Sequence, residues 1–280
     1  MNNSAYVCFL MIEFPGSKIN LGLNVIQKLE NGYHSIESIF IPTSFSDILE
    51  IIPAEKESAF NYSGISIPGN EEDNLIYKAW KLLSKSYPLP SFIAYLHKVI
   101  PLGAGLGGGS ADGSAMLKLL NHHFNLNIPS TELSAIAAKL GADCPFFIDR
   151  NTAYVEGIGE LLTPISIDLS KLHLLIICPG IHINTGEAFR NISPKIREIK
   201  LTEIVANYPI EEWKNHIFND FEEYAFKKHS ELSKIKSALY DMGALYASMS
   251  GTGSAIYGFF KSEVELGENL NKYVSYWEKG

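Results

Sequence analysis

Pro101-Leu-Gly-Ala-Gly-Leu-Gly-Gly-Gly-Ser110-Ala-Asp112 carries five glycines within seven positions: Gly103, Gly105, Gly107, Gly108 and Gly109. The residues before it, 91–100, read as a strand that stops at Pro101. Those after it, from about 110 to 124, repeat Ala111, Ala115, Met116, Leu119 and Leu120 at helical spacing. Glycine lacks a Cβ, so its backbone reaches positive φ and lets a ligand approach the N–H groups. The start of the following helix adds unpaired N–H donors and the positive end of its dipole. A strand, a glycine loop and a helix in that order make a phosphate cradle. A plain glycine-rich turn would bear the folding entropy of five glycines without return. A Walker A loop is excluded, because G-x-x-x-x-G-K-[ST] occurs nowhere. Gly103-x-Gly105-x-x-Gly108 fits the dinucleotide fingerprint formally, yet several strands precede it and no strand-terminal acid follows about 20 residues later. The protein-kinase loop lacks its H-R-D and D-F-G partners.

Outward from the loop, residues 6–12, 18–26, 35–41 and 48–52 read as strands. Residues 75–83 read as a helix capped by Asp73 or Asn74, burying Leu75, Ala79 and Leu82. A second helix follows Pro129, with Ser130 as its N-cap and Leu133, Ile136, Ala137 and Leu140 on one face. Gly141 stands where a left-handed C-terminal glycine is expected. A boundary is expected between 151 and 169, dividing the chain into 1–158 and 159–280. The second unit reads as a strand at 172–178, helices at 185–191 and 231–242, strands at 244–249 and 254–260, and a final helix from Ser262. Strands and helices interleave in both halves, which predicts an α+β fold in two lobes.

The 280 residues are 46% hydrophobic and 19% charged, enough to bury a core. Net charge is -8 and no Lys/Arg-rich block occurs, which argues against a nucleic-acid or membrane partner. A protein of this charge that binds an anion must create positive potential locally. Cys8, Cys144 and Cys178 show no C-x-x-C or metal-ligand spacing and read as reduced, buried apolar residues. The apolar run 5–12 lacks a positive start and a cleavage site, so a first strand is expected there, in a soluble cytoplasmic chain.

Asp143, in Gly141-Ala-Asp-Cys-Pro-Phe-Phe147, follows a predicted helix end and precedes an apolar run. It reads either as a solvated turn carboxylate or as a base beside a water-poor pocket. Lys18 lies in an apolar strand; it either points to water or is buried against an anion, for which Asp143 is the candidate. Asn31-Gly-Tyr-His34 reads as a hairpin turn that presents Tyr33 and His34 for stacking on a flat ring. Ser250-Gly-Thr-Gly-Ser254 reads as a hairpin or an anion nest.

Taken together, Ser17-Lys-Ile-Asn-Leu21, Gly32-Tyr-His34, residues 101–112, Gly141-Ala-Asp-Cys-Pro-Phe146 and Ser250-Gly-Thr-Gly-Ser254 resemble the GHMP kinase superfamily over nearly the whole chain. Glu72-Asp-Asn-Leu75 and His182-Ile-Asn-Thr-Gly-Glu187 add to the resemblance. The Gly-Tyr-His and Gly-Ala-Asp segments narrow it to the branch acting on 4-diphosphocytidyl-2-C-methyl-D-erythritol, in non-mevalonate isoprenoid biosynthesis. The resemblance implies a ribosomal-protein-S5-domain-2-like N-terminal lobe and a ferredoxin-like C-terminal lobe, with ATP and a small-molecule substrate meeting between them. It implies Asp143 as catalytic base toward the 2-hydroxyl, and Lys18 as the residue that orients it and stabilises charge on the transferred phosphoryl group.

By the same resemblance, Pro101, Leu102, Gly103, Ala104, Gly105, Leu106, Gly107, Gly108, Gly109, Ser110 and Ala111 wrap the ATP phosphates. Asn74 and Lys98 lie near the adenine nucleoside. Tyr33 and His34 hold the cytosine, while Asn20 and Thr185 contact the substrate. Mg²⁺ is implied, with Ser110 as a ligand position, and the protein is expected as a monomer or homodimer. Gly16-Ser17 departs from the alanine common before the family's lysine. Three alternatives remain: a GHMP kinase for homoserine, mevalonate or a sugar; a non-catalytic nucleotide-binding protein on this scaffold; and a dinucleotide-dependent oxidoreductase.

Overall fold

The structure, a computed structural model, describes residues 11–279. Most of the strand expected at 6–12, and Cys8 with it, lies outside that range. The chain begins with β1 (Met11–Glu13), β2 (Gly16–Lys28), β3 (His34–Ser46), β4 (Ile48–Pro53) and β5 (Ala59–Gly64). A 3₁₀ turn, Glu71–Asp73, leads into α1 (Leu75–Ser84), followed by β6 (Phe92–Lys98) and α2 (Gly108–His123). After α3 (Ser130–Ala137) and α4 (Phe146–Asp149) come β7 (Ala153–Glu156) and β8 (Leu161–Pro164). The remainder is β9 (His173–Cys178), α5 (Thr185–Arg190), α6 (Leu201–Asn207), α7 (Phe221–Lys228), α8 (Ser230–Asp241), β10 (Tyr246–Met249), β11 (Ile256–Phe260) and β12 (Val274–Lys279).

These strands form three sheets, ordered β1-β4-β6-β5, β2-β3-β7-β8 and β10-β11-β9-β12. The first is covered by α1 and α2, whose Ile76, Leu83, Met116 and Leu120 pack on Leu49, Phe92 and Leu96. In the third, the strands taken in their own sequence order lie 2-3-1-4, the ferredoxin-like arrangement. The second is the joint between lobes. Along β2, ten consecutive residues from Gly16 to Val25 are buried, because both faces of the strand are covered. Ile19 and Leu21 pack with Leu174, Ile176 and Tyr257, while Leu23 and Val25 pack with Leu175, Ile177 and Phe221. Odd and even residues of β9 therefore feed two different clusters, as period-2 alternation requires.

Several expectations change. Residues 262–273 are irregular and the segment after them is β12, antiparallel to β9; no helix begins at Ser262. The open edge of β9 outcompetes a polar stretch with weak helical periodicity, and Tyr276 of β12 stacks on Phe45 of β3 at 4.7 Å. β8 pairs with β7, so the second sheet runs to Pro164, within the interval 151–169 in which a boundary is expected. Asn74 caps α1 by accepting from Ile76 N–H at 3.0 Å, but the buried face is Ile76, Ala79 and Leu83, with Leu75 and Leu82 half-buried. Ser130 is the first helical residue of α3 rather than its cap, and its hydroxyl donates to Asp149. Gly141 has no positive φ; α3 ends at Ala137 and the backbone turns on through residues 138–140. Cys144 and Cys178 are free and buried, in keeping with apolar packing roles.

Leu120 is fully buried near the C-terminal end of α2. Leu120→Ala should lower unfolding free energy by ~2–5 kcal/mol, the cost of the lost methyl groups plus the cavity they leave. Urea unfolding followed by circular dichroism measures it.

Candidate active site

The glycine loop leaves β6 at Lys98 and enters α2 at Gly108. Gly103, Gly105 and Gly107 all have positive φ, of 64°, 79° and 71°. Gly105 has a second reason to be glycine. A Cβ there would lie 2.0 Å from the Ser250 carbonyl, because the 250–254 loop between β10 and β11 packs directly on it. Ala255 N–H donates to the Ala104 carbonyl at 3.0 Å, and the Ser250 hydroxyl donates to the Gly105 carbonyl at 2.8 Å. The Ser-Gly-Thr-Gly-Ser segment is thus a turn that braces the glycine loop from the other lobe.

Lys18 is buried in β2, and its N–H is held by the Leu106 carbonyl at 2.9 Å. Its ammonium donates to Asn20 Oδ1 and, at 3.1 Å, to the Gly105 carbonyl; Asp143 Oδ2 lies 3.7 Å away. The Phe40 ring lies 4.6 Å from the same Nζ. Burial pushes the Lys18 pKa down, and the Asp143 carboxylate opposes that shift. The solvated reading of Lys18 is therefore wrong, and the two residues expected to meet do meet. Asp143 sits on the turn between α3 and α4 with a third of its side chain exposed, so one face remains open to a substrate. Asn20 is fixed from both sides: its side-chain amide donates to Ser38 Oγ at 2.9 Å and its backbone carbonyl accepts from the Tyr257 hydroxyl at 2.8 Å.

Lys18, Asn20, Asp143, Thr185, Gly103, Gly105 and Gly107 line one cavity of about 320 Å³. A second, of about 530 Å³, is lined by Lys28, Tyr33, His34, Phe189 and Arg190, and shares Ile158 and Phe189 with the first. Together they form a trough from the Lys18–Asp143 pair to the β2–β3 hairpin. Tyr33 is exposed, while His34 is half-buried and stacks on Phe189 with centroids 5.0 Å apart. Burial, and then the nearby Lys28 charge, lower the His34 pKa, which favours the neutral ring. A third cavity, of about 510 Å³, lies between residues 62 and 74 and includes Asn74.

One expected site residue, Lys98, has its side chain committed within the fold. The side chain of Lys98 is buried, donating to Asp47 and, at 2.7 Å, to Asp112. Its ammonium is enclosed in the interior, while its backbone pairs with Gly64 and Ile65, which line the cavity that holds Asn74. A lysine in a strand next to two carboxylates finds its anion inside the fold, and the sequence separation of Asp47 hid that partner. Two site residues were not anticipated. Phe189 lies four residues after Thr185 in α5, a spacing that puts both on one helix face. Thr252 meets Thr185 at 3.2 Å between hydroxyl oxygens.

Two family models match: the GHMP kinases N-terminal domain over residues 74–150 and the GHMP kinases C-terminal model over residues 208–279. A 4-diphosphocytidyl-2-C-methyl-D-erythritol kinase of Azobacteroides pseudotrichonymphae is 50% identical over 90% of this chain and 94% of its own length. The kinase of the same name from Bacteroides thetaiotaomicron is 46% identical over 92% and 95%. A crystal structure of 4-(cytidine 5'-diphospho)-2C-methyl-D-erythritol kinase superposes with TM-score 0.75 at 29% identity, covering 89% of each chain. The Methanococcus jannaschii mevalonate kinase, at 13% identity and TM-score 0.63, shares the fold.

The contrast between two loop glycines is testable. Gly105→Ala should cost at least ~1–3 kcal/mol from overpacking against Ser250. Gly109→Ala meets nothing nearer than 3.9 Å, at an ordinary φ, and should be neutral or slightly stabilising. Urea midpoints of both variants decide it. Asp112 supplies a pH-dependent test. Burial raises its pKa to about 8, with Lys98 opposing and Asp47 adding to the rise. The unfolded carboxyl ionises near 3.8, so the folded state loses stability from this group as pH rises from there to about 8. Asp112→Asn removes that loss, and its stability relative to wild type should improve between pH 5 and pH 8 in urea titrations. From the loop, the Lys18–Asp143 pair, the two matched models and the relatives alike, the chain belongs to the GHMP kinases, in the branch of 4-diphosphocytidyl-2-C-methyl-D-erythritol kinases.

Proposed function

We infer that the protein transfers the γ-phosphoryl group of ATP to the 2-hydroxyl of 4-diphosphocytidyl-2-C-methyl-D-erythritol, in isoprenoid precursor synthesis in the cytoplasm. The observation that carries this reading is the trough, with Lys18 and Asp143 at one end and the Tyr33–His34–Phe189 aromatic group at the other. A cytosine ring fits the aromatic end by stacking, and a neutral His34 can donate or accept a hydrogen bond at its edge. Lys28 and Arg190 line the same end and offer cations to a diphosphate. The polyol then reaches the cavity at Asp143.

At that cavity, Asp143 takes the proton of the hydroxyl as its oxygen bonds to the γ-phosphorus and the bond to the ADP oxygen breaks. The 2-carbon also bears the methyl branch, so its hydroxyl is tertiary and crowded. Orientation, through Asn20 and Thr185, therefore matters as much as basicity. Lys18 holds Asp143 in place and brings positive charge close to the moving phosphoryl group. Backbone N–H groups of residues 101–111 and the start of α2 receive the ATP phosphates. The cavity by Asn74 suits the adenine nucleoside.

Mg²⁺ accompanies ATP in this reading. Among the described residues no group of three or more His, Cys, Asp or Glu could hold a metal. That fits an ion that keeps phosphate and water ligands and takes few from protein, with the Ser110 hydroxyl in the first turn of α2 as the protein ligand. Bound there, the ion would neutralise phosphate charge. Monomer and homodimer are both compatible with a site built within one chain.

ADP release with Mg²⁺-ATP and the cytidylyl alcohol tests the function. Wild type should turn over only with that acceptor present. Asp143→Asn should lose about 10²–10⁴ in kcat while still binding ATP. Turnover with homoserine or mevalonate instead would reassign the acceptor, and full activity of Asp143→Asn would remove it as base.

A further inference from the structure

Lys98, Asp47 and Asp112 form a buried cluster that the reaction above does not use. Asp47 stands between β3 and β4 and is fully buried. Its Oδ1 accepts the N–H groups of Val99 and Ile100, the latter at 2.8 Å, and its own N–H donates to the Pro15 carbonyl at 3.1 Å. Its other oxygen accepts from the Lys98 ammonium, which also donates to Asp112 Oδ2 at 2.7 Å. Asp112 belongs to α2, two residues beyond Ser110. A Cβ on Gly108 would lie 3.0 Å from Lys98 Nζ, so the ammonium sits directly beneath the first turn of that helix.

The three side chains therefore grip the glycine loop at both ends. Val99 and Ile100 lead into it and bond to Asp47. Asp112 lies just past its exit and is joined to Asp47 through Lys98, and Asp47 also holds Pro15, before the strand carrying Lys18. Between those ends lie residues whose backbone is intrinsically loose, five of them glycine. A loop of that composition presents its N–H groups to a polyphosphate in one arrangement only if its ends are fixed beforehand.

We propose that Asp47, Lys98 and Asp112 are positioning residues that tether the two ends of the phosphate-binding loop and so set the affinity for ATP, leaving that for the acceptor alcohol unchanged. The proposal rests on residues 101–111 holding ATP, as inferred above. The Lys98–Asp112 link is a hydrogen bond from the ammonium to one carboxyl oxygen of Asp112. An amide at 112 can accept the same bond, whereas a methyl group cannot.

That difference gives the experiment. Asp112→Ala cuts the link to α2 and leaves the Lys98–Asp47 pair intact; Asp112→Asn keeps an acceptor. ATP binding is measured by calorimetry and loop order by amide hydrogen exchange, with the β2 amides as internal reference for the folded state. Asp112→Ala should weaken ATP about tenfold and speed exchange at residues 103–109, while Asp112→Asn stays within about threefold of wild type. In steady state, Asp112→Ala should raise KM for ATP and leave KM for the alcohol unchanged. Wild-type ATP affinity and loop protection in Asp112→Ala would overturn the proposal, as would equal losses in Asp112→Ala and Asp112→Asn. So would a rise in exchange throughout β2 as large as that in the loop, the mark of a purely structural role. Because ATP binding and loop exchange are the deciding readouts, the result holds whichever alcohol proves to be the acceptor.

Discussion

The approach of the Gly105 backbone to the Ser250 carbonyl is the contact on which the site depends. No side chain fits between them, since a single Cβ would lie 2.0 Å from that oxygen. The glycine loop comes from the first lobe and the 250–254 turn from the second, so the contact fixes the lobes against each other beside the Lys18–Asp143 pair. Lys18 lies beneath it and donates to the Gly105 carbonyl, the same oxygen that accepts from Ser250. The loop's position and the lysine's direction are thus set by one carbonyl group. Asp143 then follows, because the ammonium held there faces its carboxylate.

Burial explains why this arrangement is stable. A lysine with almost no solvent exposure needs acceptors, and β2 supplies one in Asn20, two residues along on the same face of the strand. Asn20 is itself locked by Ser38 and Tyr257, so the polar network continues into apolar packing on both sides of β2. Ten consecutive buried residues in that strand are the consequence of placing it between two lobes. A strand covered on only one face would have alternated, and would have left Lys18 free to reach water.

What could be read from the sequence follows from the range of the interactions involved. The loop–helix unit, the hairpin at Asn31-Gly32 and the helices α1, α2 and α8 are written in local spacing, and all are present. Pairing Lys18 with Asp143 needed a contact across 125 positions, and the match to the GHMP pattern pointed to it. β12 failed because its stability comes from the edge of β9, almost a hundred residues earlier, and from Tyr276 stacking on Phe45. Neither leaves a local trace. β8 was missed for a similar reason: four residues, three of them exposed, become a strand only beside β7. The pairing of Lys98 with Asp47 was not legible because the aspartate lies 51 positions away and reads, locally, as an ordinary turn acid. Phe189 was visible in principle, one helical turn from Thr185, but an aromatic on a short helix is usually core.

The net charge of -8 sharpens the account of how two polyanions are held. Two lysines stand close to the phosphate loop, and both are committed to protein. Lys98 is enclosed by the carboxyl groups of Asp47 and Asp112, and Lys18 divides its donors between Asn20 and Gly105 with Asp143 nearby. In the function proposed above, positive potential for the ATP phosphates then comes mainly from N–H groups, those of the glycine loop and of the first turn of α2. Such donors carry no side-chain entropy to lose, but they act only if the backbone that bears them is held in one conformation. That requirement accounts for the bracing of this loop from two directions, by the 250–254 turn above and the Asp47–Lys98–Asp112 cluster below.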